Sequence, residues 1–234
     1  MANLIELNNI SAGYGGKEIL SNVTITIPQR GFVGVIGPNG GGKTTLLRVI
    51  LGMVKPTSGS MAFFRADGTP QEHINMGYLP QHTQIDRKFP LSVREVLRSG
   101  LGWSFKEIFS ADKKVYNNRQ LDAVIERFHL EEVADSHISE LSGGQLQRVL
   151  IARAVIAKPD VVILDEPNTY IDLHSQSRTY EMLKSINDEC AVIVVGHDIE
   201  ALIRHANTIV CLNHTAEQYD ANDITREAIE KIFA

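Results

Sequence analysis

The chain has 234 residues, of which 43% are hydrophobic and 22% are charged, and its formal net charge is −5. These values are typical of a folded globular protein and exclude a disordered or fibrous chain. A negative net charge is also unlike a protein that holds nucleic acid through a basic surface, so we expect no nucleic-acid partner.

Two cysteines and the lack of a long apolar segment indicate where the chain resides. Cys190 and Cys211 each lie in or beside an apolar run, without the spacing of a metal site, and we interpret them as reduced core thiols. No segment approaches the roughly 20 apolar residues that span a bilayer, and the N-terminus does not resemble a signal peptide. We therefore expect a cytoplasmic chain that another protein recruits to a membrane.

The first third of the chain is predicted to form strands around one helix. Residues 4–10 and 19–27 have strand character, and the apolar run 32–36 leads through a glycine-rich loop into a helix over 43–51. Gly52 is placed to end this helix. Strands are predicted at 60–65 and 76–79, on either side of the Asp67-Gly68 turn.

Helical spacing dominates after Gln81, at residues 93–101, 119–128 and 145–158. Strand-like runs return at 161–164, 191–195 and 208–212, with helical stretches between them and a short helix at 227–233. This alternation predicts an α/β core with a largely parallel sheet. We expect a single domain over 1–234, with a core formed by 1–87 and 159–234 and a helical subdomain at 88–158.

The loop between the third strand and the first helix matches the phosphate-binding pattern GxxxxGK[ST]. Its residues are Gly37, Pro38, Asn39, Gly40, Gly41, Gly42, Lys43 and Thr44. Glycines let backbone N–H groups turn toward phosphate oxygens, and the helix N-terminus adds further donors. We expect Lys43 to reach the β- and γ-phosphates of a nucleotide and the Thr44 hydroxyl to bind Mg²⁺.

Two acidic residues end the apolar run at 161–164. A buried parallel strand explains the run, but Asp165 and Glu166 at its end require a cation or a hydrogen-bond donor. We assign Asp165 to a Mg²⁺ site and Glu166 to the role of general base toward the attacking water.

The segment Leu141-Ser142-Gly143-Gly144-Gln145 precedes a predicted helix, and Asp165 and Glu166 follow that helix. This order resembles the ABC ATPase family, in which LSGGQ is the signature. The resemblance covers essentially the whole chain. It implies a P-loop NTPase core with a mostly parallel sheet, an N-terminal antiparallel β subdomain and a helical insert that carries the signature.

The resemblance implies several further site residues. Tyr14 matches the aromatic residue that stacks on adenine, and Gln81 matches the glutamine that links the catalytic and metal site to the helical insert. Asp172 matches the aspartate of the loop at the dimer seam, although the bulky Tyr170 departs from the family pattern there. His197 matches the switch histidine that contacts the γ-phosphate. The remaining implied nucleotide-binding residues are Thr45, Ser142, Gly143, Gly144 and Gln145.

The resemblance also implies a mechanism in which ATP, with Mg²⁺, joins two ATPase subunits and hydrolysis releases them. The pair would be a homodimer or two different ATPases, bound to integral membrane permease subunits and acting indirectly with a solute-binding protein. The chain would then lie on the inner face of the cell membrane.

Residues 82–100 resemble the corresponding stretch of ATPases from zinc and manganese importers. Their apolar side chains, including Phe89 and Val93, either pack inside the helical insert or contact the permease. Trp103, Phe105 and Phe109 are either core or a docking patch. Iron-chelate import and a soluble role in iron–sulfur cluster assembly stay open as alternatives to metal import.

Overall fold

The computed structural model describes residues 2–81, 90–102, 111–167 and 173–233. The described strands are β1 (Asn3–Tyr14), β2 (Lys17–Pro28), β3 (Phe32–Ile36), β4 (Ser58–Phe64), β5 (Pro70–Gln71), β6 (Met76–Leu79), β7 (Val161–Asp165), β8 (Ala191–Val195), β9 (Thr208–Asn213) and β10 (Thr215–Asp220). The described helices are α1 (Lys43–Ile50), α2 (Val93–Ser99), α3 (Ala111–Arg127), α4 (Gly143–Val155), α5 (Leu173–Asn187), α6 (Ile199–His205) and α7 (Arg226–Phe233). Short 3-10 turns span Glu131–Val133 and Ile138–Glu140.

The strands form two sheets. An antiparallel sheet has the order β2-β1-β4-β5, and a second sheet has the order β10-β9-β3-β8-β7-β6. In the second sheet only the edge strand β10 is antiparallel to its neighbour. Because β3, β8 and β7 are adjacent and parallel, the loops that follow them emerge side by side at one edge of the sheet.

The central strands are buried on both faces. Every residue of β3, β7 and β8 is buried, which explains their continuous apolar runs. Successive residues point to opposite faces: Val162 and Leu164 pack with the helices α2 to α6. Val161 and Ile163 pack instead with α1 and with the antiparallel sheet. The helix α1 therefore lies between the two sheets, where it fixes the loop that precedes it.

The predicted α/β architecture, with its parallel sheet and antiparallel β subdomain, is confirmed. One connection differs from the simplest interpretation of the sequence. The Asp67-Gly68 turn joins β4 to the two-residue strand β5, whereas β6 leaves that sheet and pairs with β7. The division into a core and a helical subdomain at 88–158 stays a prediction. Among the described residues, no helix combines the length and the hydropathy that crossing a membrane requires.

Candidate active site

The glycine-rich loop follows β3 and ends at Lys43, the first residue of α1. The Lys43 ammonium is buried and donates to the carbonyls of Gly37 and Pro38, at 2.8 and 2.9 Å. The backbone N–H of His214, in the turn between β9 and β10, donates to the Gly41 carbonyl at 2.9 Å. The loop is thus closed by its own lysine and supported by a neighbouring hairpin.

Steric limits explain two of the glycines. A β-carbon at Gly37 would lie 1.9 Å from the carbonyl oxygen of Leu212, so no side chain fits there. Gly42 has a φ of 98°, and a β-carbon on it would lie 2.7 Å from the Leu20 side chain. Glycine at these positions therefore lets the loop keep the conformation in which it packs against β9 and β2.

A cavity of about 400 Å³ opens in front of the loop. It is lined by Tyr14, Ile19, Asn39, Gly40, Gly42, Lys43, Thr44, Thr45, Gln81 and Glu166. All of these except Ile19 were predicted as site residues. Arg48 was not predicted as a site residue either, because no motif includes it. Its guanidinium donates to the Tyr14 hydroxyl at 3.2 Å. Arg48 joins the end of α1 to an aromatic ring that is 45% exposed.

Asp165 ends β7, directly before the cavity-lining Glu166, and is 1% exposed. Neither of its carboxylate oxygens has a hydrogen-bond partner within the part of the chain that the structure describes. Burial raises the pKa of Asp165, and the charge of Glu166 adds to the shift. The nearby Thr44 hydroxyl lowers the pKa of Asp165 in part, although its contact with the carboxylate lacks the geometry of a normal hydrogen bond. A buried carboxylate in this state favours a cation as its ligand.

The two acidic residues also act on the lysine. Burial lowers the pKa of Lys43, while the negative charges of Glu166 and Asp165 raise it and offset part of that effect. Lys43 thus lies near two carboxylates, yet its two hydrogen bonds go to backbone carbonyls. Its charge is available to an anion that enters the cavity.

Glu166 adopts a left-handed backbone conformation with φ at 54°. Its N–H donates to the Val195 carbonyl at 2.9 Å, so the last residue of β8 holds it. Its Oε1 atom lies 2.9 Å from Nε2 of His197, which follows β8. The structure therefore brings the predicted general base and the predicted switch histidine into direct contact.

The signature segment lies elsewhere on the chain. Ser142 caps the N-terminus of α4: its hydroxyl accepts from the Gln145 N–H, and its own N–H donates to the Gln145 side chain. A separate cavity of about 760 Å³ is lined by Arg127, Phe128, His129, Ser142, Gly143, Gly144, Gln145, Arg148, Arg178, Thr179, Glu181, Met182 and Ser185. The signature residues do not line the Lys43 cavity of the same chain.

Some of the predicted residues lie outside the part of the chain that the structure describes. These are Asp172 and Tyr170 at the expected dimer seam, the stretch 82–89, and the aromatic residues Trp103, Phe105 and Phe109.

Comparison with known proteins decides the family, because residues 20–169 match the ABC transporter family. The chain belongs to the ABC transporter family. It is an ABC ATPase, the class of enzyme that its motifs predicted.

Relatives and a solved structure support this assignment along most of the ABC ATPase chain. It is 36% identical over 212 residues to the zinc import ATP-binding protein ZnuC of Hydrogenovibrio crunogenus, covering 90% of this chain and 79% of that protein. A probable metal transport system ATP-binding protein of Chlamydia pneumoniae is 38% identical, with coverages of 87% and 82%. A dimeric ATP-binding cassette in a post-hydrolysis state with ADP and Pi is 25% identical, with a TM-score of 0.73 and coverages of 94% and 100%. The predicted similarity to metal-importer ATPases is confirmed.

Proposed function

We propose that this ABC ATPase energises the import of a divalent metal ion, zinc or manganese, by hydrolysing ATP beside a membrane permease. The cavity in which Lys43, Thr44 and Glu166 face one another is the observation that carries the ATPase role. The metal substrate rests on relatives named for zinc import and metal transport, each similar over most of the chain.

The loop at 37–44 would hold the phosphates of ATP through backbone N–H groups and through Lys43. Arrival of the γ-phosphate would give the Lys43 ammonium an anionic partner in place of the Gly37 and Pro38 carbonyls. Such a partner offsets the burial that lowers the pKa of Lys43. Tyr14 is exposed at the edge of the cavity and would stack on the adenine ring.

The residues present fit a Mg²⁺ ion. Asp165 offers two buried oxygens without hydrogen-bond partners among the described residues, while Thr44 and Gln81 line the cavity. Oxygen donors of this kind, together with substrate phosphates, are the usual protein ligands of Mg²⁺. When bound, the ion would neutralise charge on the phosphates; Thr44, Gln81 and Asp165 are the residues that would hold it.

Glu166 would take a proton from the attacking water, and the γ-phosphoryl group would pass to that water to give ADP and phosphate. His197, now 2.9 Å from the Glu166 carboxylate, would turn its exposed ring to the γ-phosphate when ATP enters. Positioning and charge stabilisation would supply most of the rate enhancement.

A second subunit would complete the site with Ser142, Gly143, Gly144 and Gln145 of its signature, and Asp172 would lie at the seam. Gly144 supports this proposal, because a β-carbon there would meet no atom of the described residues within 4 Å. Glycine is less favourable than alanine in a helix, by up to about 1 kcal/mol, and packing among the described residues does not require it. A close approach by a nucleotide on the other subunit does.

The partners would therefore be a paired ATPase subunit, either a second copy or a different chain, and integral permease subunits. A solute-binding protein would act indirectly, by delivering the solute to the permease. We place the chain on the inner face of the cell membrane, attached through the permease.

Cellular metal content under metal limitation tests this proposal. Cells with Glu166→Gln in place of the native chain should contain less zinc or less manganese, measured by mass spectrometry, while iron is unchanged. Glu230→Gln, at an exposed ion pair with Arg226, serves as the matched control and should behave as wild type. Unchanged zinc and manganese at equal expression would rule out the metal assignment, and a selective fall in iron would indicate a chelate importer.

A further inference from the structure

A glutamine is buried in the hydrophobic core beneath the signature. Gln147 lies on α4, is 4% exposed, and packs in a helix whose other buried residues include Leu146, Val149 and Leu150. Its amide nitrogen donates to the backbone carbonyl of Pro167. Its carbonyl oxygen has no hydrogen-bond partner in the described part of the chain. Burying a polar side chain with only one of its groups satisfied costs stability, so its presence here calls for an explanation.

The acceptor of this hydrogen bond is next to the proposed general base. Pro167 directly follows Glu166, whose φ of 54° is uncommon for a residue other than glycine. A strained conformation of this kind persists only where the surroundings hold it. The Val195 carbonyl holds the Glu166 N–H, and His197 contacts its carboxylate. The Gln147 amide holds the carbonyl of the next residue, Pro167.

We propose that Gln147 is a positioning residue that ties the signature helix to Glu166. The helix α4 begins at the signature cap, Ser142, and carries Gln147 as part of the same rigid element. A shift of the signature against a nucleotide on the second subunit would move Gln147, and through Pro167 it would move Glu166 in its own site. Closure at one ATP thereby sets the geometry of the base at the other. This inference rests on the proposed ATPase function.

A single substitution separates this role from simple packing. Gln147→Met keeps the approximate volume of the side chain but removes the N–H donor. We expect kcat of the purified full-length chain to fall by about tenfold or more, because a small misplacement of a catalytic group strongly reduces rate. KM for ATP should stay within about twofold, since the phosphate cradle is unchanged.

A matched control is Gln120 on α3, which contacts the other end of α4. The Gln120 amide also donates to a backbone carbonyl, that of Ile156, just beyond the C-terminus of α4. Gln120→Met removes a bond of the same type far from Glu166 and should leave kcat unchanged. In the Glu166→Gln background, where the base is already removed, Gln147→Met should still permit ATP-induced dimerisation, measured by size-exclusion chromatography.

A kcat for Gln147→Met within about twofold of wild type would overturn the inference. Equal losses of kcat and of melting temperature in Gln147→Met and Gln120→Met would overturn it as well. If Gln147→Met does not fold, Gln147→Asn replaces it: this variant keeps the amide but shortens its reach, and the same fall in kcat is expected. A wild-type chain without ATPase activity would contradict the proposed function itself, whereas active wild type with an unaffected Gln147 variant would contradict only the positioning role.

Discussion

Nε2 of His197 lies 2.9 Å from Oε1 of Glu166, and this contact joins the residues that follow two adjacent strands, β8 and β7. The Glu166 N–H also donates to the Val195 carbonyl, so β8 holds the backbone of this residue while His197, just beyond β8, contacts its carboxylate. The histidine side chain is 53% exposed, whereas that of Glu166 is only 18% exposed. The carboxylate is therefore fixed in the cavity, and the ring remains free to turn toward an incoming phosphate.

We expect Glu166→Gln to bind ATP but to lose hydrolysis by at least about 10²-fold, since it removes the general base and keeps the shape of the side chain. ATP-dependent dimerisation should persist and outlast that of wild type. Steady-state phosphate release and light scattering measure the two effects. The exposed Glu230→Gln variant is the control, and near-normal turnover of Glu166→Gln would remove Glu166 from this role.

Asp165→Asn is expected to stabilise the nucleotide-free chain while abolishing hydrolysis. Burial raises the pKa of Asp165 above its ordinary 3.8, so its neutral form is favoured in the fold. The stability that this form contributes is present below the unfolded pKa and is lost as pH rises through the folded pKa. A neutral amide should therefore raise the melting temperature at pH 7, by about 2–4 °C for about 1 kcal/mol.

Thermal unfolding in EDTA, measured from pH 4 to pH 8, tests this expectation. The difference between Asp165→Asn and wild type should grow with pH, because only wild type acquires a buried charge. A variant that is less stable than wild type at pH 8 would contradict the argument from burial.

Much of the active site could be predicted because its chemistry is local in sequence. The loop at 37–44 is continuous, and its glycines are required by contacts such as that of Gly37 with Leu212. Asp165 and Glu166 could be placed at a strand end because two adjacent carboxylates contradict the apolar run before them. The parallel core was predictable for the same reason: buried strands are uniformly apolar.

Features that depend on distant segments could not be predicted. The strand β10 has the sequence TAEQYD, without an apolar run, and forms because β9 provides a hairpin partner. The left-handed backbone of Glu166 is held by a carbonyl of β8, and the next residue, Pro167, accepts a hydrogen bond from Gln147. Arg48 contacts Tyr14 only because α1 packs between the sheets. Gln147 did carry a signal, since it is a polar residue on a buried helix face.

We expect Tyr14→Ala to weaken nucleotide binding by about two- to tenfold, which corresponds to the loss of one aromatic stacking contact of about 0.5–1.5 kcal/mol. Tyr14→Phe keeps the ring but removes the hydroxyl that accepts from Arg48, so its affinity should stay within about twofold of wild type. Calorimetry with ADP measures both. Equal losses in the two variants would show that the Arg48 contact, and not the ring, governs binding.

Gly144→Ala distinguishes the effect of this glycine on the stability of a single chain from its effect on the ATP-dependent dimer. A β-carbon at Gly144 has open space around it among the described residues, and alanine favours a helix over glycine by up to about 1 kcal/mol. The variant should therefore melt at a higher temperature than wild type. If the first turn of α4 closes against a nucleotide on a second subunit, the added methyl group will obstruct that approach, and ATP-dependent dimerisation and hydrolysis should both fall. Chromatography of Gly144→Ala in the Glu166→Gln background, with the Glu166→Gln parent as the control, measures the first effect. A stabilised variant that still dimerises and hydrolyses ATP normally would remove Gly144 from the interface.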